Sequence, residues 1–217
     1  MRTVAQFFAY IILCSLLSAA QNPASTLPER SVESVARDGL KSVVIVLVSD
    51  QNGKLMKFGS GFVASSDGKV VTNYHVVEDG FSARVRFHDG SYFDIAGVLA
   101  SDPTKDLAIL KIKSSNREFI YLPIADSSTL EVGQQVVSIG TPEGFESTVS
   151  TGIVSAIREA EDLPLGAVRG TRVIQTTAPI SHGSSGGVLL NLKGQVVGVP
   201  TFLFAQGQNL NFAIPSS

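Results

Sequence analysis

The sequence predicts an all-β protein whose chain closes into two successive β-barrels. Three observations carry that expectation. Short runs rich in β-branched residues recur along the chain, turn signals separate them, and helical periodicity is almost absent, which argues for sandwich or barrel packing. The same texture resumes after a polar, turn-rich stretch at 125–132, and two similar halves joined by a link fit two barrels better than one large sheet. With 217 residues and 44% hydrophobic content the chain can bury a real core, so a disordered or fibrous protein is excluded.

The N-terminus carries Arg2, an apolar run from Phe7 to Leu17, and then the small residues Ser18, Ala19 and Ala20. Residues 1–20 are therefore expected to be a cleaved secretory signal, and the protein to be exported, either periplasmic or secreted. The run is shorter than the ~20 apolar residues that span a bilayer. The single cysteine, Cys14, lies inside this segment, so the mature chain has no disulfide, thiol nucleophile or cysteine-ligated metal.

Residues 21–41 form a lead-in segment in which Val32, Val35 and Ala36 at helical spacing predict a short helix, with Gly39 as its stop. The first barrel is expected over 42–124. It opens with the β-branched run Val43 to Val48, turns at Asn52-Gly53 and returns over Leu55 to Ala64. Asp67-Gly68 and Asp89-Gly90 mark further turns, Arg84 to Phe87 alternates as a half-exposed strand does, and Leu107 to Ile112 is another strand. After the linker at 125–132, the second barrel (133–217) has strand-like runs at Gln134 to Ile139, Thr148 to Ile157, Thr171 to Thr176, Gly187 to Leu190, Gln195 to Phe204 and Asn209 to Ile214.

The formal net charge of −2, with no run of lysine or arginine, lacks the electrostatic footprint that phosphate backbones require, so nucleic acid is not an expected partner. Three scattered histidines, none spaced as a ligand pair, offer no zinc site and exclude a metal-dependent hydrolase. No cofactor is expected.

The sharpest local string is His182-Gly183-Ser184-Ser185-Gly186-Gly187. An attacking serine needs a hydroxyl presented on a tight turn, beside backbone N–H groups that converge on a developing oxyanion, and glycines permit such a turn. Taken alone, the string reads equally well as a surface turn. Thr72 to Val77 places His75 at the end of a β-like run, where a neutral imidazole can serve as general base; alone, it reads more readily as a core histidine. Asp106 opens the apolar strand Leu107 to Ile112, and a carboxylate carried inward needs a partner such as an imidazole N–H. Asp102, in the Ser101-Asp102-Pro103 turn, is a structural rival. Together the signals occur in the order His, Asp, Ser, the first two in one β half and the serine in the other, which predicts a triad of His75, Asp106 and Ser185 in the cleft between halves.

Seven strings in order, GSGFVAS (59–65), TNYHVV (72–77), DLAILK (106–111), VVSIGTP (136–142), STGIVSAI (150–157), GSSGG (183–187) and NFAIPS (211–216), resemble the protease domain of the HtrA (Deg) family of trypsin-like serine proteases. The likeness runs from about Ser42 to the end of the chain. It implies two six-stranded antiparallel barrels, hydrolysis of peptide bonds through an acyl-enzyme, no cofactor, polypeptide substrates and a role in protein quality control. His75, Asp106 and Ser185 fall on the family's triad positions, and Gly183, Ser184 and Ser185 on its oxyanion loop. The rival reading is a catalytically silent two-barrel protein that binds peptides along the same cleft.

Departures from the family pattern are Ser184, where asparagine is usual, Thr177, where aspartate is common, and His182, read as a loop histidine. Ser184 cannot form an ion pair with a freed N-terminus, so activation by insertion of a new amine is not expected. The loop Ala178 to Ser181, which includes Ile180, has no acid to receive a basic side chain, and Thr201-Phe202-Leu203 resembles the family segment that pairs with substrate backbone. Ile180, Thr201, Phe202 and Leu203 are accordingly the candidate substrate-binding residues, with small or aliphatic residues expected before the cut. The sequence stops where many HtrA relatives continue into a PDZ domain, so the chain is a protease-only member or part of a longer protein. Its oligomeric state stays open, a homo-oligomer being the family analogy.

Overall fold

The lead-in helix forms as its spacing predicts: α1 spans Val32–Gly39, and the Ser31 side chain at its N-cap accepts a hydrogen bond from the Ser34 N–H. The computed structural model describes residues 27–141, 147–163, 168–203 and 210–217. The predicted signal at 1–20 lies outside the described residues, as do Gly166 and the ends of two predicted strands at Phe204 and Asn209.

The first half contains β1 (Val43–Ser49), β2 (Leu55–Val63), β3 (Lys69–Thr72), a one-turn helix α2 (Tyr74–Val77), β4 (Ser82–Phe87), β5 (Tyr92–Asp102) and β6 (Leu107–Ile112). These strands close into a six-stranded barrel in the order β1-β2-β3-β6-β5-β4, because β1 pairs with β2 on one edge and β4 on the other. The β1–β2 hairpin turns where Asn52-Gly53 predicts it, with Gly53 at φ +77° and the Asp50 carboxylate accepting from the Asn52 and Lys54 amides. Alternation then sorts the side chains. In β6, Ala108, Leu110 and Ile112 are buried while the residues between them are half-exposed.

The second half contains β7 (Gln135–Gly140), β8 (Thr148–Glu159), β9 (Arg172–Thr176), β10 (Val188–Asn191), β11 (Val196–Leu203) and β12 (Asn211–Pro215), closed in the order β10-β11-β12-β9-β8-β7. All the ladders in both barrels are antiparallel. The expected all-β, two-barrel architecture is the observed one.

A third apolar cluster holds the barrels together. Val43 and Phe62 from the first barrel meet Val137, Ile139, Val188, Leu190, Val196 and Val199 from the second, with Val35 of α1 and Leu122 of the segment after β6 between them. This explains why β1 reads as a near-continuous apolar run: Val44, Val46 and Val48 fill the barrel interior while Val43 faces the seam. The segment after β6 is bonded to both barrels, since the Leu122 N–H donates to Val63 O (3.0 Å), and the Val196 N–H donates to Pro123 O (2.8 Å). Val35 is 1% exposed, so Val35→Ala removes buried methyl groups from the seam and should cost about 2 kcal/mol. Urea unfolding checks this, and a loss below about 0.5 kcal/mol, the range of surface substitutions, would show that α1 is not a working part of the seam.

Two features were not evident from sequence pattern. β5, the longest strand of its barrel, carries no clear strand pattern in the sequence, since bulges at Ile95/Gly97 and Val98/Ala100 break its alternation and much of it is exposed. His75 lies not at the end of a strand but inside α2, two residues beyond the Asn73 cap.

Candidate active site

Asp106 and His75 are drawn together by backbone as well as side chains. Asp106 occupies the left-handed region at φ +54°, a conformation that costs free energy in a non-glycine residue. The surroundings hold it there: its carbonyl accepts from the Asn73 side-chain amide (2.8 Å) and the Tyr74 N–H (3.2 Å). The same contacts seat α2, and Val76, 3% exposed, anchors that turn in the core of the first barrel.

The carboxylate of Asp106 then faces the imidazole. His75 Nδ1 lies 2.8 Å from Oδ2 and 3.0 Å from Oδ1, and the His75 N–H also donates to Oδ1 at 3.0 Å. The Thr201 hydroxyl donates to Oδ2 at 2.5 Å from the second barrel. Burial pushes the Asp106 carboxyl up, but hydrogen bonds from the His75 ring, the Thr201 hydroxyl and the His75 amide outweigh it and hold the group below the usual carboxylate range. Three donors around one carboxylate keep it ionised, so Nδ1 of the imidazole presents its N–H to it and Nε2 faces away from it.

Ser185 sits on the turn between Ile180 and β10. Gly183 (φ +88°) and Gly186 (φ +82°) give that turn its shape. The Ser184 N–H donates to Ser181 O (2.9 Å), Gly187 to Ser184 O (3.0 Å) and Gly186 to Pro200 O (2.9 Å). Gly186 has no room for a side chain, because an added Cβ would lie 2.2 Å from Ser60 O and 3.0 Å from Asn73 N. Gly59 of β2 joins both pieces: a Cβ there would meet Val76 at 2.7 Å and the Ser185 carbonyl at 3.3 Å. The histidine helix and the serine turn therefore flank one glycine at the barrel seam.

The Ser185 hydroxyl donates to the Thr201 carbonyl at 3.1 Å. Thr201 thus touches the site twice, with its carbonyl on Ser185 and its hydroxyl on Asp106. Thr201 is 5% exposed and its side-chain hydroxyl faces the Asp106 carboxylate. Ile180, 6% exposed, is packed away from solvent. The side chains of Phe202 and Leu203 lie outside the described residues. Among the amides of the expected oxyanion loop, that of Ser184 is engaged by Ser181, whereas those of Gly183 and Ser185 have no acceptor among the described residues. Of the departures, the Thr177 hydroxyl accepts the Ile153 N–H (3.0 Å), and His182 is exposed.

Beyond Gly198, β11 pairs only with β12 among the described residues, so its Val199–Leu203 edge nearest Ser185 has no neighbouring strand. A separate cavity of about 340 Å³ between the barrels is lined by Phe62, Val71, Leu107, Ile109, Val196 and Val199 and contains none of His75, Asp106 and Ser185. Among the described residues no group of His, Cys, Asp and Glu is placed to hold a metal.

Thr201→Val keeps the shape of the residue and removes one donor from Asp106. The Asp106 pKa should rise, so the stability its ionised form supplies, present above the unfolded value and lost as pH falls through the folded one, should begin to fail at higher pH than in the wild type. Urea unfolding between pH 7 and pH 3 reads the shift, and superimposable profiles would remove Thr201 from the carboxylate's environment.

A family model for the trypsin-like peptidase domain matches residues 59–199. A probable periplasmic serine endoprotease, DegP-like, from Brucella suis is 43% identical over 162 residues, covering 73% of this chain and 31% of its own length. A putative serine protease, HhoB, from Synechocystis is 42% identical over 158 residues, covering 72% of this chain and 37% of its own. The chain thus spans about a third of the length of these curated relatives. Among solved structures, an HtrA-type protease, AlgW, with tripeptide matches 85% of this chain and 60% of its own at TM-score 0.76 and 30% identity. The serine endoprotease from Yersinia pestis matches 88% and 64% at TM-score 0.73 and 31% identity.

Proposed function

The chain belongs to the trypsin-like peptidase family, and on that footing we propose that it is a serine endopeptidase in which Ser185 is the nucleophile, His75 the general base and Asp106 the group that orients the imidazole. The observation that carries this reading is the His75–Asp106 pair, 2.8 Å apart, set across the seam from a serine turn whose Gly183 and Ser185 amides have no acceptor among the described residues.

For attack, the Ser185 hydroxyl has to exchange the Thr201 carbonyl for His75 Nε2. The Ser185 oxygen then bonds to the substrate carbonyl carbon as its proton passes to Nε2, and the carbonyl oxygen gains the negative charge. The amides of Gly183 and Ser185 receive that oxyanion, each donor of this kind being worth about 10²–10³ in rate. As the C–N bond breaks, the imidazolium returns its proton to the leaving amine. Water, deprotonated by the same nitrogen, releases the acyl group and restores the serine. Asp106 stays ionised throughout, balancing the imidazolium.

The Val199–Leu203 edge of β11, which has no neighbouring strand among the described residues, favours extended substrates that add as a strand, which means unfolded or exposed polypeptide in the service of protein quality control. The loop from Ala178 to Ser181 brings no acid to the site, favouring small or aliphatic residues before the cut. The apolar N-terminal run and the periplasmic description of the Brucella relative support export to the periplasm. In the test, purified protein is incubated with casein and separately with a fluorophosphonate, and adducts are mapped by peptide mass spectrometry. Cleavage of casein and an adduct on Ser185 that His75→Ala slows by several orders of magnitude are expected. An adduct formed equally fast without His75, or none at all, would assign the cleft to peptide binding without catalysis.

A further inference from the structure

We propose that Ser60 is a positioning residue for the oxyanion loop, fixing from the first barrel the backbone that carries the nucleophile and its amide. The proposal rests on the reading of Ser185 as nucleophile. Ser60 lies on β2 and is wholly buried. Its hydroxyl has one proton and two lone pairs, and all are committed. Gly183 O, 2.7 Å away, can only accept, so the Ser60 proton goes there. The Thr141 N–H (2.8 Å) and the Thr141 hydroxyl (2.9 Å) must then both donate to the Ser60 oxygen. The Ser60 backbone is engaged as well: its N–H donates to Ser185 O (2.9 Å), and its carbonyl accepts from the Thr72 hydroxyl (2.7 Å).

One side chain therefore joins β2, the serine turn and the segment that leaves β7. The geometric consequence concerns two consecutive peptide planes. The Gly183–Ser184 plane is held at both ends, its carbonyl by Ser60 and its N–H by Ser181. The Ser184–Ser185 plane is held through its carbonyl by the Gly187 amide. With both planes fixed, the Ser185 amide keeps its direction before substrate arrives, which is what stabilisation of a developing oxyanion requires, and the Gly183 residue, whose own amide lies in the preceding plane, is anchored through its carbonyl. Ser60→Ala frees the first plane and strips a shared acceptor from two Thr141 donors.

The test reads the oxyanion itself. A peptidyl trifluoromethyl ketone, ¹³C-labelled at its carbonyl, is added to the full chain, and the pKa of the hemiketal on Ser185 is followed by NMR. Ser60→Ala is expected to raise that pKa by about one unit and to lower kcat on a fluorogenic peptide about 10- to 100-fold, with KM nearly unchanged. Ser60→Thr, which retains the hydroxyl, is expected to restore most of kcat. An unchanged hemiketal pKa in folded Ser60→Ala, with only a lower melting temperature, would overturn the assignment and leave the nucleophile reading intact. A wild type that forms no hemiketal would sink the nucleophile reading and this proposal with it. If Ser60→Ala does not fold, Thr141→Val removes one of the donors to the same hydroxyl and should raise the pKa by a smaller amount; no rise there also overturns the assignment.

Discussion

Ser185→Ala is expected to abolish peptide hydrolysis, with kcat falling about 10⁶-fold on the scale set by other serine proteases, while the fold persists. The serine hydroxyl makes a single described hydrogen bond, to the Thr201 carbonyl, and its removal leaves the turn's backbone bonds through Ser184, Gly186 and Gly187 in place. Circular dichroism and the urea midpoint should therefore match the wild type within about 0.5 kcal/mol. Casein cleavage, measured against a mock-purified control, checks the activity. A variant that retains more than a hundredth of wild-type turnover would place the nucleophile elsewhere.

Asp106→Asn is expected to lower kcat about 10⁴-fold with a smaller effect on KM. The carboxylate accepts from the His75 ring, the His75 amide and the Thr201 hydroxyl, and both of its oxygens are used. An amide offers one oxygen and one NH₂, so whichever way it is turned, its NH₂ faces a donor. If it faces Nδ1, the imidazole must move its proton to Nε2, the atom that has to take the proton of Ser185. The loss should ease at alkaline pH only where a stronger external base substitutes. Steady-state kinetics on a fluorogenic peptide separates the two constants, and an unchanged kcat with raised KM would make Asp106 a binding residue instead.

The three proposed catalytic residues can be named from sequence because their chemistry sits in short strings: a glycine-flanked serine, a histidine after a β-branched run, and an aspartate that opens an apolar strand. The closed barrels were legible for a related reason, since alternation in β6 and the Asn52-Gly53 turn are local properties. What stayed hidden depends on contacts between distant segments. Thr201 looks like any polar residue in a strand, and its double contact with Ser185 and Asp106 exists only after the barrels meet. The Ser184 amide is consumed by a turn to Ser181 whose closure no composition signal marks. Ser60 and Asn73 stood inside strings noted for their family likeness, yet their roles come from partners at Gly183, Thr141 and Asp106. The left-handed backbone of Asp106 is likewise imposed from outside, by Asn73 and Tyr74.

The account stands on the imidazole and the serine hydroxyl acting as one unit across the barrel seam. Single-turnover cleavage of a fluorogenic peptide by Ser185→Ala, His75→Ala and the double variant tests this directly. If they form one unit, the double variant should be no slower than the slower single variant, since either change already disables the shared proton transfer. Losses that multiply, with the double variant slower by the product of the two single effects, would show the residues acting independently and contradict the account.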